Sequence, residues 1–314
     1  MPHVITKTRL QVMAGVSALV VIAMSTRAAS AYTAAPSAAP VIAVDSTPRP
    51  ALWNRDTLDG LSGKLRMKLM TARAHDTTGV LYRLFGDSAL KMPGVYVARD
   101  SSEANAFAFV SLVPFTAKKN GKLGDYRMGS WPAERRAVSS ERYGNPNGFI
   151  QVTQDNQLTM ISEHFRLRDF LTKDQASVWP KYLVLQEGLI DKLELVIGAL
   201  NKHGVNVTRM SVMSGFRTPQ YNERGVGAGG RSDVSRHQYG DAADVFVDND
   251  GNGGMDDLNR DGRVNTSDAR FLAQVVDQVE RDHPELIGGV GIYPATSSHG
   301  PFVHVDVRGT KARW

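Results

Sequence analysis

Two short stretches carry residues whose types and spacing suit binding a metal and activating water. In Ser235-Arg236-His237-Gln238-Tyr239-Gly240-Asp241-Ala242-Ala243-Asp244, the imidazole of His237 and the carboxylate of Asp244 stand across a turn that Gly240, Ala242 and Ala243 let pack closely. Further along, Phe302-Val303-His304-Val305-Asp306 supplies a second imidazole. In an extended strand, alternation puts His304 and Asp306 on one face, about 7 Å apart. His237, Asp244 and His304 make the three-ligand set, with a fourth position for water, that a catalytic zinc ion uses. Each half alone reads more readily as a His–Asp hydrogen-bonding pair; the two together point to a metal.

Directly after Asp244 the chain turns acidic. From Asp257 the spacing is that of a twelve-residue calcium loop. Asp257, Asn259 and Asp261 stand at positions one, three and five, with Gly262 at the sharp turn of six. The Arg263 carbonyl follows at seven, Asn265 at nine and Asp268 at twelve. Val264, at position eight, is expected to tuck into the core, and a helix is expected to leave the loop near Ser267. Asp248, Asp250, Asn252 and Asp256 form a weaker, overlapping set that binds another ion or shares one. Within residues 248–268, six carboxylates against Arg260 and Arg263 leave a net charge of −4. Such a loop repels itself unless a cation neutralises it; the alternative is a solvated acidic loop without metal. The run from Asp257 to Ala269 also resembles a dockerin-type calcium repeat, with Asp268 where ordinary EF-hands have a bidentate Glu. A dockerin normally carries two repeats and pairs with a cohesin, so a single repeat inside another domain argues against such docking and for a local calcium clamp.

These residues need elements to hold them. Leu185, Leu189, Leu193, Val196, Ile197 and Leu200 share one helical face, closed by Gly204. A strand over 209–213, a polar Gly-rich stretch up to Arg236, a helix over 267–282 and strands over 289–293 and 302–307 follow. Irregular alternation with long polar loops indicates an α+β domain over 148–314, not a doubly wound sheet. Short alternating runs at 94–97 and 107–110 predict a smaller β-rich domain over 51–147, with nothing catalytic in it. Residues 32–50, rich in Ala, Pro and Ser, read as a linker.

Residues 1–31 have the layout of a secretory signal: Lys7 and Arg9, an apolar run from Val12 to Met24, then Ala29-Ser30-Ala31 as a cleavage site. The expectation is export to a periplasmic or extracellular, wall-associated location, by cleavage after Ala31 or with an uncleaved anchor. No second apolar stretch approaches membrane length. The formal charge of +5 loses Lys7, Arg9 and Arg27 with that segment and falls to +2, too little and too scattered to indicate a nucleic-acid partner. The absence of cysteine excludes disulfides, thiol nucleophiles, iron–sulfur clusters and thiolate zinc fingers, so any metal sits on nitrogen and oxygen ligands.

Taken together, the motifs resemble the zinc peptidases that group D-alanyl-D-alanine carboxypeptidases, lysostaphin-like enzymes and hedgehog-type domains. The SxHxxGxAxD segment over 235–244 is similar to the first two zinc ligands of the D-alanyl-D-alanine branch, and the FVHVD strand is similar to the third. Ser214-Gly215-Phe216-Arg217-Thr218-Pro219, with Tyr221 and Asn222, resembles that branch's SGYRSPxxN signature. The runs at 161–170 and 288–294 resemble a secreted bacterial subfamily thought to act on murein. The resemblance covers residues 148–314 and implies an antiparallel sheet with flanking helices. It implies that His237, Asp244 and His304 bind zinc and that Arg217 faces substrate. A guanidinium there could hold a carboxylate or carbonyl in a fork and stabilise a developing oxyanion, or form a structural salt bridge instead. Ser235 and Gln238 read as substrate-binding hydrogen-bonders lining the site or as turn residues.

The chain departs from this pattern at one place. Many relatives have an acid or a histidine two or three residues before the last zinc ligand, where here stand Phe302 and Pro301. Asp306 is the first substitute as general base and His299 the second; Asp306 could instead orient a zinc histidine from behind. The expected activity is hydrolysis of an amide bond in peptidoglycan peptides, with a non-catalytic, zinc-containing wall- or peptide-binding module as the alternative.

Overall fold

The computed structural model describes residues 41–43, 60–71, 85–86, 89, 91–99, 106–227 and 230–314. The expected export signal lies outside them, as does all of the expected linker except Val41–Ala43.

The first half of the chain is built on strands whose β-branched and aromatic residues alternate or run continuously between turns. Strands β1 (Val41–Ala43), β2 (Met67–Thr71), β3 (Gly94–Arg99) and β4 (Ala106–Pro114) join β7 (Gly148–Val152) and β8 (Lys181–Leu183) in one six-stranded sheet. A small hairpin, β5 (Lys122–Leu123) and β6 (Tyr126–Arg127), lies between β4 and β7 in sequence. This sheet crosses the domain boundary expected at residue 148. Val113 and Pro114 of β4 pair with Phe149 and Gly148 of β7, and the buried core runs without interruption from Leu65 through Trp131 and Phe149 to Val305. Long-range strand pairing merges what composition suggested were two domains.

The second half carries the metal motifs. Helix α1 (Glu187–Lys202) buries Leu189, Ile190, Leu193, Val196, Ile197 and Leu200, as its periodicity predicts. Strand β9 (Met210–Ser214) and the short helix α2 (Pro219–Glu223) follow, then β10 (Ala242–Val247) and helix α3 (Thr266–Asp282). The chain closes with β11 (Gly289–Tyr293), β12 (Phe302–Asp306) and β13 (Ala312–Arg313). These strands form a five-stranded sheet in the order β13-β11-β12-β10-β9, antiparallel except for β13 on β11. The whole is mixed α+β. No helix among the described residues is long and apolar enough to cross a membrane.

Register in this second sheet does the positioning. Asp244 on β10 stands opposite His304 on β12 and, on its other side, opposite Ser214 on β9. Behind the sheet, α1 and α3 are tied by an ion pair with almost no solvent exposure. Lys192 Nζ donates to Glu280 Oε1 at 2.7 Å and to the Asp306 carbonyl at 2.8 Å.

Candidate metal centre

Three side chains from three separate elements converge. His237 comes from a 3₁₀ turn, Arg236–Tyr239, that ends at Gly240 in the left-handed region (φ +68°). A Cβ on Gly240 would lie 2.2 Å from the Val184 carbonyl oxygen, so only glycine lets this turn sit against the chain before α1. Asp244 and His304 come from the paired strands β10 and β12. His237 Nε2 lies 3.2 Å from Asp244 Oδ1 and 3.2 Å from His304 Nδ1, and His304 Nδ1 lies 3.0 Å from Asp244 Oδ1. All three residues are buried.

That triangle suits a metal. Ligands about 2.0–2.1 Å from a tetrahedral zinc ion are separated by roughly 3.3 Å, close to the observed edges. The outer nitrogens fix the tautomers. His237 Nδ1–H donates to the Gly215 carbonyl at 2.7 Å, and His304 Nε2–H donates to Asp306 Oδ2 at 3.0 Å, so each ring turns a lone pair toward Asp244. Burial holds the His237 imidazole below its usual range, against the pull of Asp244. Burial also works against charge on His304, yet its hydrogen bonds to Asp244 and Asp306 prevail and raise it. Burial would raise Asp244, but His237 and His304 hold it well below the usual carboxylate range. A group of two imidazoles and one carboxylate in this arrangement can hold a metal ion.

Asp306 stands behind this cluster, not beside it. Its carboxylate touches the His304 nitrogen that faces away from Asp244. It also accepts from Arg308 Nε at 2.9 Å, Arg308 N at 3.0 Å and Gly289 N at 2.7 Å. Asp306 has no solvent exposure, and the cleft that reaches the metal cluster is lined without it. The base expected at this position therefore has no path to a water in the cleft. Alternation along β12 put the two side chains on one face as expected, but their contact spends the carboxylate on the ring.

The cleft has a volume of about 1090 Å³, and Arg217, Ser235 and His299 line it with the metal cluster. Arg217 Nη2 donates to Asp244 Oδ2 at 2.5 Å and its Nε to Ser214 Oγ at 2.8 Å. It thus orients the cluster's carboxylate while bordering the cleft. His299 is half-buried; its Nδ1–H donates to the Gly300 carbonyl at 2.8 Å, which leaves Nε2 as the basic nitrogen of a neutral ring. Gln238 does not reach the cleft. Its amide donates to the Asp233 carbonyl at 2.9 Å, its own carbonyl accepts from Trp131 Nε1 at 2.9 Å, and it is buried. It is a tie between the turn and the first half of the chain.

The acidic stretch holds both oxygen-rich sets, Asp257–Asp268 and Asp248–Asp256. The carboxylates that gather are those of Asp248, Asp250 and Asp256, with oxygens all within 4.8 Å of one another; among the described residues Asp257, Asp261 and Asp268 do not meet that condition. Backbone amides bond to both sets: Asp248 accepts from Gly253 N and Asp256 from Asn249 N. Asp268 is buried, accepts from Leu258 N at 2.8 Å and Asn259 N at 3.2 Å, and closes the capping box of α3 by accepting from Asn265 N. Asp257 accepts from Gly262 N and Asp261 from Arg263 N, while Asn259 Oδ1 accepts from Asp261 N and Asn265 Oδ1 from Ser267 N. Val264 is exposed instead of tucked into the core. In the other set, burial and the neighbouring carboxylates Asp250 and Asp248 push Asp256 up, and Asn252 stays local, its amide groups donating to Asp250.

Sequence reasoning passed over several residues of the cleft wall. Tyr143 comes from the region read as non-catalytic, and Arg231, Tyr293, Arg308 and Trp314 come from outside the metal motifs. No local pattern marks them; only the Gly-Gly-Val-Gly-Ile-Tyr run at 288–293 singled out the strand that carries Tyr293. Compared with protein-family models, with curated proteins and with solved structures, the chain matches none of them.

Proposed function

We propose that this chain is an exported zinc metallopeptidase that hydrolyses an amide bond in the peptide part of peptidoglycan, as a D,D-carboxypeptidase or an endopeptidase. The observation that carries this reading is the convergence of His237 Nε2, Asp244 Oδ1 and His304 Nδ1 at 3.0–3.2 Å on the wall of an open cleft. Those three atoms would hold the ion. A zinc ion held there would supply acidified water and a polarised carbonyl. Asp306 and the Gly215 carbonyl keep both rings in the ligand tautomer. Arg217 holds Asp244 through Nη2 and Nε anchors to Ser214, which leaves Nη1 to meet a substrate carbonyl or carboxylate. His299, the imidazole that lines the cleft outside the ligand set, would carry the proton.

The test is incubation of zinc-loaded protein with purified murein, followed by analysis of released amines and shortened muropeptides. New amine termini that vanish with chelator support the reading; intact murein with stoichiometric zinc bound overturns it. A second reading, a zinc-holding module that binds wall peptides without cutting them, draws on one observation: Asp244 is the only acidic side chain that lines the cleft among the described residues. The murein assay separates the two, and the variant His299→Ala then tests the proton carrier. Its expected effect is a 10²- to 10⁴-fold fall in kcat, the range for loss of a general acid–base group, with zinc content unchanged. Equal turnover in the variant removes His299 from the mechanism.

Calcium belongs to the same proposal, in the loop of Asp257, Asn259, Asp261, Arg263, Asn265 and Asp268 and at Asp248, Asp250 and Asp256, the second of which gathers its carboxylates closely. A hard cation there would relieve three carboxylates held within 4.8 Å. Millimolar calcium is expected to raise Tm by a few degrees, following the usual linkage between binding and stability. The variant Asp248→Asn should lose part of that rise and Asp257→Asn the rest; a rise that one of them leaves untouched removes that site, and none in the parent rejects both.

A further inference from the structure

We infer that the face made by Trp314 and Tyr293 beside the metal cluster is a saccharide platform, so that the substrate is a peptide still joined to its glycan. The inference rests on the proposed function for the identity of the substrate, though not for the platform itself.

Strand β11 carries Gly291 and Tyr293 on one face, and Gly291 is the register partner of His304. A Cβ on Gly291 would lie 2.5 Å from Cε2 and Nε1 of Trp314. The missing side chain is therefore what lets the indole lie down across the strand. Trp314 is clamped there. Its carbonyl accepts from Ile292 N at 2.9 Å, its N–H donates to the Val290 carbonyl, and its indole Nε1–H donates to Tyr293 Oη at 2.7 Å. Its ring centroid lies 5.2 Å from that of His304. Tyr293 is braced in turn by Phe302, stacked at 4.6 Å with an interplanar angle of 4°.

The indole's one polar group is spent inside the protein, yet the residue is 49% exposed. What it offers to a ligand is a rigid, flat apolar face rather than a hydrogen bond. An apolar peptide side chain would call for an enclosed pocket, and this ring is open. A pyranose has the complementary form: C–H bonds on one face to lie on the indole, and hydroxyl and amide groups around its edge. Polar groups line the same cleft, Ser298 and His299 among them, and the Arg308 guanidinium carbon lies over one side of the indole at 5.3 Å from its centroid, which leaves the other side of the half-exposed ring to the ligand. Being already held on several sides, the ring loses little freedom on binding.

The probe is the N-acetylglucosamine tetramer, titrated into the full protein by calorimetry and tryptophan fluorescence, with zinc and after chelation. Binding by the parent, weakened about ten-fold or more in Trp314→Ala and kept within about three-fold in Trp314→Phe, is the expected result; alanine substitution at stacking aromatics elsewhere gives losses of this order. If Trp314→Ala does not fold, Gly291→Val displaces the indole without removing it and should lose the same affinity. No binding by the parent, or equal binding by parent and displaced variants, overturns the platform. In a second arm, zinc-loaded parent should cleave glycan-linked peptide with a higher kcat/KM than the same peptide freed of its sugar. Equal values overturn the substrate assignment. Cleavage of neither, with the tetramer still bound, is a failure of the peptidase reading alone.

Discussion

Replacing His304 with alanine is expected to weaken zinc binding by more than about 100-fold and to abolish amide cleavage. Removing a partner that only orients a ligand costs about 10- to 100-fold in affinity or activity; His304 is a proposed ligand and also the link between two carboxylates. Its Nδ1 lies 3.0 Å from Asp244 Oδ1 and its Nε2 is bonded to Asp306 Oδ2 at 3.0 Å. The truncation therefore removes one of three donors and leaves Asp244 without the ring that helps keep it ionised in the core. The variant Asp306→Asn makes the graded comparison. It keeps the side-chain shape and a carbonyl for the His304 N–H but gives up the charge paired with Arg308, so a loss within the 10- to 100-fold range is expected. Competition with a chromogenic chelator gives both numbers. Undiminished zinc affinity in His304→Ala would remove this residue from the ligand set, and a larger loss in Asp306→Asn than in His304→Ala would reverse their proposed roles.

Glu280→Ala is expected to cost about 3–5 kcal/mol of stability, the range for breaking a buried ion pair by removing one partner. Lys192 has no side-chain exposure, and without Glu280 its ammonium keeps only the Asp306 carbonyl. Burial already pushes the Lys192 amine down, against the pull of Glu280. The same glutamate accepts from Gly288 N and pairs with Arg313, so its loss also strips a buried amide of its acceptor. Thermal unfolding should show a fall in Tm on the order of 10 °C. The double variant Lys192→Met, Glu280→Leu tests the cause: with both charges gone, most of the loss should return. A double variant as unstable as Glu280→Ala would assign the cost to packing and the Gly288 amide instead. The metal cluster feels this pair too, because Lys192 holds the carbonyl of Asp306, whose carboxylate orients His304.

Much of the second half was legible from local pattern. The apolar faces of α1 and α3, the glycine that ends the first helix and the strand at 289–293 are short-range properties, set by periods of 3.6 and 2 and by the conformational needs of single residues. The α+β class follows from the order of those elements. The candidate ligands His237, Asp244 and His304 were legible for a related reason: metal binding restricts residue type severely, and a chain without cysteine has few alternatives.

Chain pattern could not decide which atoms meet. Asp306 was correctly placed on the face of His304, but whether it would reach water or the back of the ring depends on Arg308 and on the Gly289 amide of a neighbouring strand. The twelve-residue spacing from Asp257 was legible in sequence, while only the fold shows that its terminal carboxylate also caps α3 and that Asp248, Asp250 and Asp256 lie together. Which backbone amides a carboxylate accepts from depends on the path of the loop, which no local pattern fixes. The boundary at residue 148 dissolved because β4 pairs with β7, and pairing between distant strands leaves no local trace. Trp314 entered the site through its seat on Gly291. Sequence by itself determined the residue types, the periodic elements and the chemistry they permit; tertiary structure alone decided register, tautomer and the side-chain partners, because those depend on segments brought together only by folding.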